Sequence, residues 1–242
     1  MPTRPPDDGR YKVREGEWAG SIAVEFGYTD WEHDVWMRSE NSDLRELRGD
    51  PHVLAPGDIL FIPPWQDKQA ACATAQRHTF QLKAPTEIFR LRIVDENKIA
   101  LKNEQYELTL RYDPGGGSYK QANTKTDGSG QLQETIPSTT TVGWLKLPRL
   151  KQTIRLRFGY LTPMDLNNKE LLFRGAQQRL LAIGFNPGPI NSDDNASTRG
   201  AIKAFQQFCK DNPNLPHVTD PGPVDGILGP KTRKALITYF GA

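Results

Sequence analysis

The sequence predicts a multidomain α+β chain: a βααβ module, a central antiparallel β-sandwich and a C-terminal three-helix bundle. Three observations carry this reading. Apolar residues recur at helical spacing near both ends, they alternate with a period of two in the middle, and net charge changes sign between these stretches. Residues 1–66 hold 7 basic and 13 acidic side chains, net −6; residues 67–165 hold 15 and 10, net +5; residues 166–242 hold 9 and 6, net +3. The joins fall on turn and linker chemistry, Pro63-Pro64 with the small-residue run Ala70–Ala75, and later Leu161–Asp165. The expected division is therefore 1–66, a linker over 67–78, a spacer over 79–160 and a last domain over 161–242.

In the first module Tyr11-Lys12-Val13 is a short strand. Trp18, Ile22 and Phe26 follow at i, i+4 and i+8, one stripe of a helix that Gly27 closes. Asp30 to Leu47 holds a second helix, Pro56-Gly57-Asp58 is a turn, and Ile59–Ile62 is a strand stopped by Pro63-Pro64. The middle stretch alternates instead: Phe89, Leu91 and Ile93 with Arg90 and Arg92, Tyr106 to Tyr112 with Glu107, Thr109 and Arg111, and Ile154, Leu156 and Phe158 with Arg155 and Arg157. Turns at Asp95–Asn97, Asp113–Gly117, Asp127–Gly130 and Ile136-Pro137, with weaker strands at 119–124, 132–136 and 142–147, give six or seven short strands. In the last stretch Leu172, Ala176, Leu180 and Ile183 form one helical stripe. Ala201, Phe205 and Phe208 form a second after a cap at Ser197-Thr198, and Ala235, Leu236 and Tyr239 a third after Gly229-Pro230.

Composition removes several functions. The chain has 242 residues and a formal charge of only +2, too little to hold a nucleic acid by a global field. Its longest apolar runs, such as Ile59–Ile62, are far short of the roughly 20 residues of a membrane span. The first nine residues lack the apolar core of a secretory signal, so the expected place of action, the bacterial cell wall or periplasm, implies non-classical export or carriage within a secretion particle. Cys72 and Cys209 sit in different domains without a CxxC or a metal-ligand spacing, and they read as thiols before they read as a disulfide.

Two family resemblances rest on spaced motifs. Tyr11-x-Val13-x-x-Gly16-Glu17, Ser21-Ile22-Ala23, Phe26-Gly27, Asn41 and Leu54-x-Pro56-Gly57-Asp58-x-Leu60-x-Ile62-Pro63 resemble the LysM module, a βααβ fold that binds N-acetylglucosamine-containing glycans. The resemblance implies a glycan groove built from Gly16, Glu17, Trp18, Ser21, Leu54, Pro56 and Gly57. Trp18 stands where the family often has a hydroxyl, and it reads either as a sugar platform or as the start of the buried stripe with Ile22 and Phe26. The second resemblance spans 168–241. Ala176-Gln177-x-x-Leu180, Thr198-x-x-Ala201-Ile202-x-x-Phe205-Gln206 and Val224-Asp225-Gly226-x-x-Gly229-x-x-Thr232 are similar to the three-helix peptidoglycan-binding domain. Asp225, Gly226, Gly229 and Thr232 read as architectural, a tight loop before a capped helix. The middle stretch is similar to transthyretin-like or immunoglobulin-like spacers through its Thr126–Gly130 turn. The combination resembles proteins associated with type VI secretion or contractile tail-like systems.

No catalytic constellation is legible. His33, His52, His78 and His217 are scattered with no HxH or HExxH, and neither cysteine has a histidine motif beside it. No metal or cofactor is implied. Arg90, Arg92, Arg155 and Arg157 could attract an anionic polymer, but a solvated face with cross-strand partners such as Glu107 is the stronger reading. The aromatics of these strands alternate to the opposite side, which argues against an RNA-binding sheet. The expected function is non-catalytic binding of peptidoglycan through two wall-directed modules on a β spacer. The alternatives are a structural or adaptor part of a secretion or tail-like particle, and a wall hydrolase with an unrecognised site.

Overall fold

The computed structural model describes residues 2–65, 71–79, 85–112 and 117–241. The linker expected over 67–78 lies partly outside them, as does the turn expected at Asp113–Gly117. The chain is a mixed α+β protein that forms two compact units, Met1–Tyr160 and Leu161–Ala242.

At the start of the first unit, β1 (Arg10–Lys12) pairs antiparallel with β2 (Ile59–Phe61), Tyr11 opposite Leu60. Between them come α1 (Ala19–Glu25) and α2 (Ser42–Arg48). Each helix is followed by a glycine at positive φ, Gly27 at 87° and Gly49 at 72°, the left-handed geometry that ends a helix at no Cβ cost. Tyr11, Ile22, Phe26, Val35, Trp36, Leu44, Leu60 and Ile62 form one apolar core over this pair of strands. The single helix expected over Asp30–Leu47 is instead three pieces: a π-helical turn at Glu32–Trp36, a 3-10 turn at Ser39–Asn41, and α2. Asn41 supplies the reason. Its buried amide donates to the carbonyls of Val35 (2.8 Å) and Phe61 (3.0 Å) and accepts the Phe61 N–H (2.7 Å), so this side chain stitches the segment to β2 at the point where a continuous helix would carry it away.

The rest of this unit is two antiparallel sheets on one core. β3 (Thr86–Arg92) pairs with β6 (Gln131–Pro137), and a four-stranded sheet runs in the order β5 (Gly117–Lys125), β4 (Gln105–Tyr112), β7 (Thr140–Leu147), β8 (Gln152–Arg157). Ile93, Leu132 and Ile136 meet Leu108, Leu110, Leu145 and Leu147 in the core. The turn from β5 to β6 is held by Asp127, whose carboxylate accepts the N–H groups of Ser129 (2.8 Å) and Gln131 (2.9 Å). Those backbone donors, with the Ser129 hydroxyl, keep its pKa below the usual carboxylate range.

The second unit is three helices, α3 (Lys169–Ala182), α4 (Ala196–Asp211) and α5 (Pro230–Phe240), around Leu172, Leu180, Ile202, Phe205 and Leu236. Asn168 caps α3 by accepting the Leu171 N–H. The cap of α4 is Asn195, which accepts the Thr198 N–H, so Ser197-Thr198 lie inside the first turn rather than before it. Pro230 opens α5, where a missing N–H costs nothing.

Candidate functional site

The seven residues expected to line a glycan groove fall into different environments. Glu17 accepts the Tyr11 hydroxyl (2.8 Å) and the Arg14 N–H (2.8 Å), which closes the loop after β1. Burial of Tyr11 and the hydrogen bond from its hydroxyl to the Glu17 carboxylate push the hydroxyl's pKa well up. Ser21 accepts the Trp18 N–H (3.0 Å) and donates back to the Trp18 carbonyl (2.8 Å), an N-terminal cap for α1. Leu54 is buried in the core. Trp18 is only 5% exposed and packs against Trp31 and His52, so of its two readings the structure adopts the packed one. Gly16 has φ +84°, and a Cβ there would lie 2.7 Å from the Tyr160 ring.

Pro56 and Gly57 are exposed. With Arg10, Tyr11, Lys12, Val13 and Arg14 they border a surface depression of about 620 Å³. The turn that presents them is built rigidly. Arg48 makes a buried bidentate pair with Asp58 (2.8 and 2.7 Å), Asp58 also accepts the Ala55 N–H (2.8 Å), and the Gly57 N–H donates to the Val13 carbonyl (2.8 Å). The depression thus carries three cationic side chains on a stretch whose net charge is −6.

The four arginines singled out in the spacer do not share a face. On the two-stranded sheet Arg90 donates to Gln133 of β6 (2.8 Å), and Arg92 donates to the Ser129 carbonyl in the turn before β6 (3.2 Å). Arg155 and Arg157 lie on the outer face of the four-stranded sheet, across from Trp144 and Val142. Trp144 is an aromatic on that polar face, and the guanidinium of Arg111 sits 5.1 Å from the centre of its ring. The aromatics that alternate with the strand arginines are expected on the opposite face; Trp144 on β7 lies instead on the polar one, because it is in phase with Val142 and Lys146 rather than with Leu145.

In the second unit two glutamines organise two loops in the same way. Gln177 on α3 accepts the N–H groups of Asn191 (3.1 Å) and Ser192 (3.0 Å), while its amide donates to the Asp193 carbonyl (3.1 Å) and the Thr198 hydroxyl (3.0 Å). Gln206 on α4 accepts the N–H groups of Asp225 (3.1 Å) and Gly226 (2.8 Å), while its amide donates to the Ile227 carbonyl (3.1 Å) and the Thr232 hydroxyl (3.0 Å). The Thr198 hydroxyl faces the carbonyls of Asp193 (2.9 Å) and Pro187 (3.4 Å), and the Thr232 hydroxyl donates to the Pro221 carbonyl (2.7 Å), the repeat counterpart of Pro187. Ser192 (φ 68°) and Gly226 (φ 77°) take the same left-handed backbone. All four C-terminal motif residues lie in or beside this second clamp: Asp225, Gly226 and Thr232 are bonded to Gln206, and Gly229 precedes α5 as its N-cap. The clamped loops match in sequence, Pro187-Gly-Pro-Ile-Asn191 against Pro221-Gly-Pro-Val-Asp225. The Pro-rich stretch before Val224 is therefore half of an internal repeat.

Residues 173–213 match the family model described as Putative peptidoglycan binding domain. The matched segment covers most of α3, the first clamped loop and α4, so Gln177, Thr198 and Gln206 lie within it. A domain of this family points to binding at the cell wall. No curated protein and no solved structure matches the chain. Among the described residues no group of three or more His, Cys, Asp or Glu side chains is placed to hold a metal, and no helix is long and apolar enough to cross a membrane. Cys72 is exposed and Cys209 buried; burial pushes the Cys209 thiol up to about 11.

Proposed function

We propose that the protein binds peptidoglycan without cleaving it, using the C-terminal three-helix unit and the LysM-like N-terminal module together. The observation that carries the reading is the family match over 173–213, inside a three-helix unit whose two loops are held rigid by Gln177 and Gln206. The N-terminal contribution is supported by the strand–helix–helix–strand order with β1 and β2 paired, and by the open depression at Pro56-Gly57. There Arg10, Lys12 and Arg14 supply N–H donors for acetamide, hydroxyl and carboxylate oxygens, while Trp18, being packed away, supplies no sugar platform. The non-catalytic part of the proposal is supported by the fate of candidate reactive groups. The Cys209 thiol is sealed in an apolar core with its pKa raised, and His52 is engaged by two carboxylates.

Two weak sites on one chain bind a polymer more tightly than either alone when both reach it, because the second event occurs at the effective concentration set by the first. The test compares the full chain with a chain ending at Tyr160 for retention on purified sacculi, with the supernatant analysed for released muropeptides. Retention should fall several-fold on truncation and no fragments should appear. Equal retention would remove the three-helix unit from the account, and released fragments would make the protein a hydrolase.

A further inference from the structure

We propose that the outer face of the four-stranded sheet, which carries Arg111, Lys120, Lys125, Lys146, Arg155 and Arg157 together with Trp144, binds a phosphate-bearing polyol polymer of the cell wall. The strand register assembles this face. Lys120 lies opposite Thr109, Thr109 opposite Trp144, and Trp144 opposite Arg155, one row across all four strands; Arg111, Val142 and Arg157 form the next. Lys146 stands opposite Glu107, and Lys125 lies opposite Gln105 at the far end of β4. Six cations meet one carboxylate, Glu107, among the described outward positions of these strands, and that carboxylate is paired with Lys146 at 3.5 Å. Lys120, Lys125 and Arg155 are exposed and have no ion-pair partner among the described residues. Neighbouring strands lie about 4.8 Å apart and same-face residues along a strand about 6.7 Å apart, so the cations form a two-dimensional array rather than a single pocket.

Such an array fits a flexible chain with one negative charge per repeat. Arginine's planar fork suits phosphate oxygens, and a flat face accepts any register of the polymer. A single-stranded nucleic acid fits less well. Sheets that bind it stack two or three bases on exposed aromatics, whereas this face offers one indole, half-buried, with a guanidinium already over its ring. The charge pattern stands without the peptidoglycan reading; only the choice of a wall polymer as its occupant rests on that reading.

The experiment measures binding of the full chain to polyglycerol phosphate, to polythymidylate, and to sacculi before and after removal of their phosphodiester polymers. Lys120→Glu with Arg155→Glu reverses two charges on the face. Arg90→Glu with Arg92→Glu makes the same change in net charge on the other sheet. The face variant should bind polyglycerol phosphate about tenfold or more weakly, the control within about twofold of the unaltered chain, with stripped sacculi retaining all three equally. If the reversal pair fails to fold by circular dichroism, Lys120→Ser with Arg155→Ser should give the same order with a smaller loss. No saturable binding to polyglycerol phosphate, equal losses in face and control variants, or tighter binding to polythymidylate would overturn the proposal. Loss of binding to stripped sacculi by the unaltered chain would overturn the peptidoglycan reading instead.

Discussion

The imidazole of His52 lies flat on the indole of Trp18, with ring centroids 4.6 Å apart and planes 25° from parallel. Trp31 meets both rings edge-on, at 5.3 Å from Trp18 and 5.8 Å from His52. The cluster is closed from the spacer by Glu87 on β3, which accepts the Trp31 indole N–H (2.8 Å), lies 3.4 Å from His52 Nε2 and accepts the Ser138 hydroxyl (3.3 Å). A residue expected to touch sugar instead belongs to the packing between the N-terminal module and the β-sheets that follow it.

This cluster makes stability depend on pH. Burial pulls the His52 pKa down, but the carboxylates of Asp50 and Glu87 outweigh it and hold the imidazole at about 9. Burial likewise pushes Glu87 up, and its hydrogen bonds from His52 and Trp31 bring it below its ordinary value. A raised histidine stabilises fully below its unfolded value of 6.5, and that contribution is lost as pH rises through about 9. The depressed Glu87 contributes above its unfolded value and loses that contribution as pH falls through its folded one. The thermal midpoint of the first unit should therefore fall between pH 6 and pH 9.5, and His52→Gln should flatten that fall. An unchanged slope in the variant would show that the drop arises elsewhere.

Gln177 and Gln206 should be equivalent in energy as they are in geometry. Each is fully buried and satisfies two loop N–H groups that have no other acceptor in the clamp. Truncation strands those donors, at about 1–3 kcal/mol each. Urea unfolding of Gln177→Ala and Gln206→Ala should show losses of about 2–6 kcal/mol for both. A large loss for one and none for the other would contradict the repeat.

The two left-handed positions give a pair of opposite substitutions. Ser192 has φ 68° without being glycine, so Ser192→Gly removes a strain of about 1–2 kcal/mol while loosening the unfolded chain by somewhat less, a net gain of about 0.5 kcal/mol. Gly226→Ala adds that strain and places a Cβ 2.9 Å from the Arg199 carbonyl oxygen, so it should cost roughly 2 kcal/mol. Melting curves of the two variants should move in opposite directions.

Much of the fold was legible because periodicity reports burial directly. The stripe Leu172, Ala176, Leu180 and the alternation of Leu108 and Leu110 with Thr109 and Arg111 are the buried and exposed faces found in the structure. Less of the site was legible. Glu87 and His52 are 35 residues apart across a linker, and nothing in either local pattern says that they meet. Trp144 is hard to place from sequence because Thr140–Leu147 has a glycine and two threonines among its apolar residues, so its alternation is faint. The repeat of the second unit was in plain view as Pro-Gly-Pro-Ile-Asn and Pro-Gly-Pro-Val-Asp, but prolines and glycines mark loops without saying that two loops are held alike. Buried Gln177 and Gln206 hold them, and a glutamine on a helix usually reads as surface.

The most direct measurement is sedimentation of the full chain with purified sacculi over a range of protein concentrations. The account predicts saturable pelleting with the wall left intact. Protein that stays in the supernatant at every concentration, while still folded by circular dichroism, would contradict it.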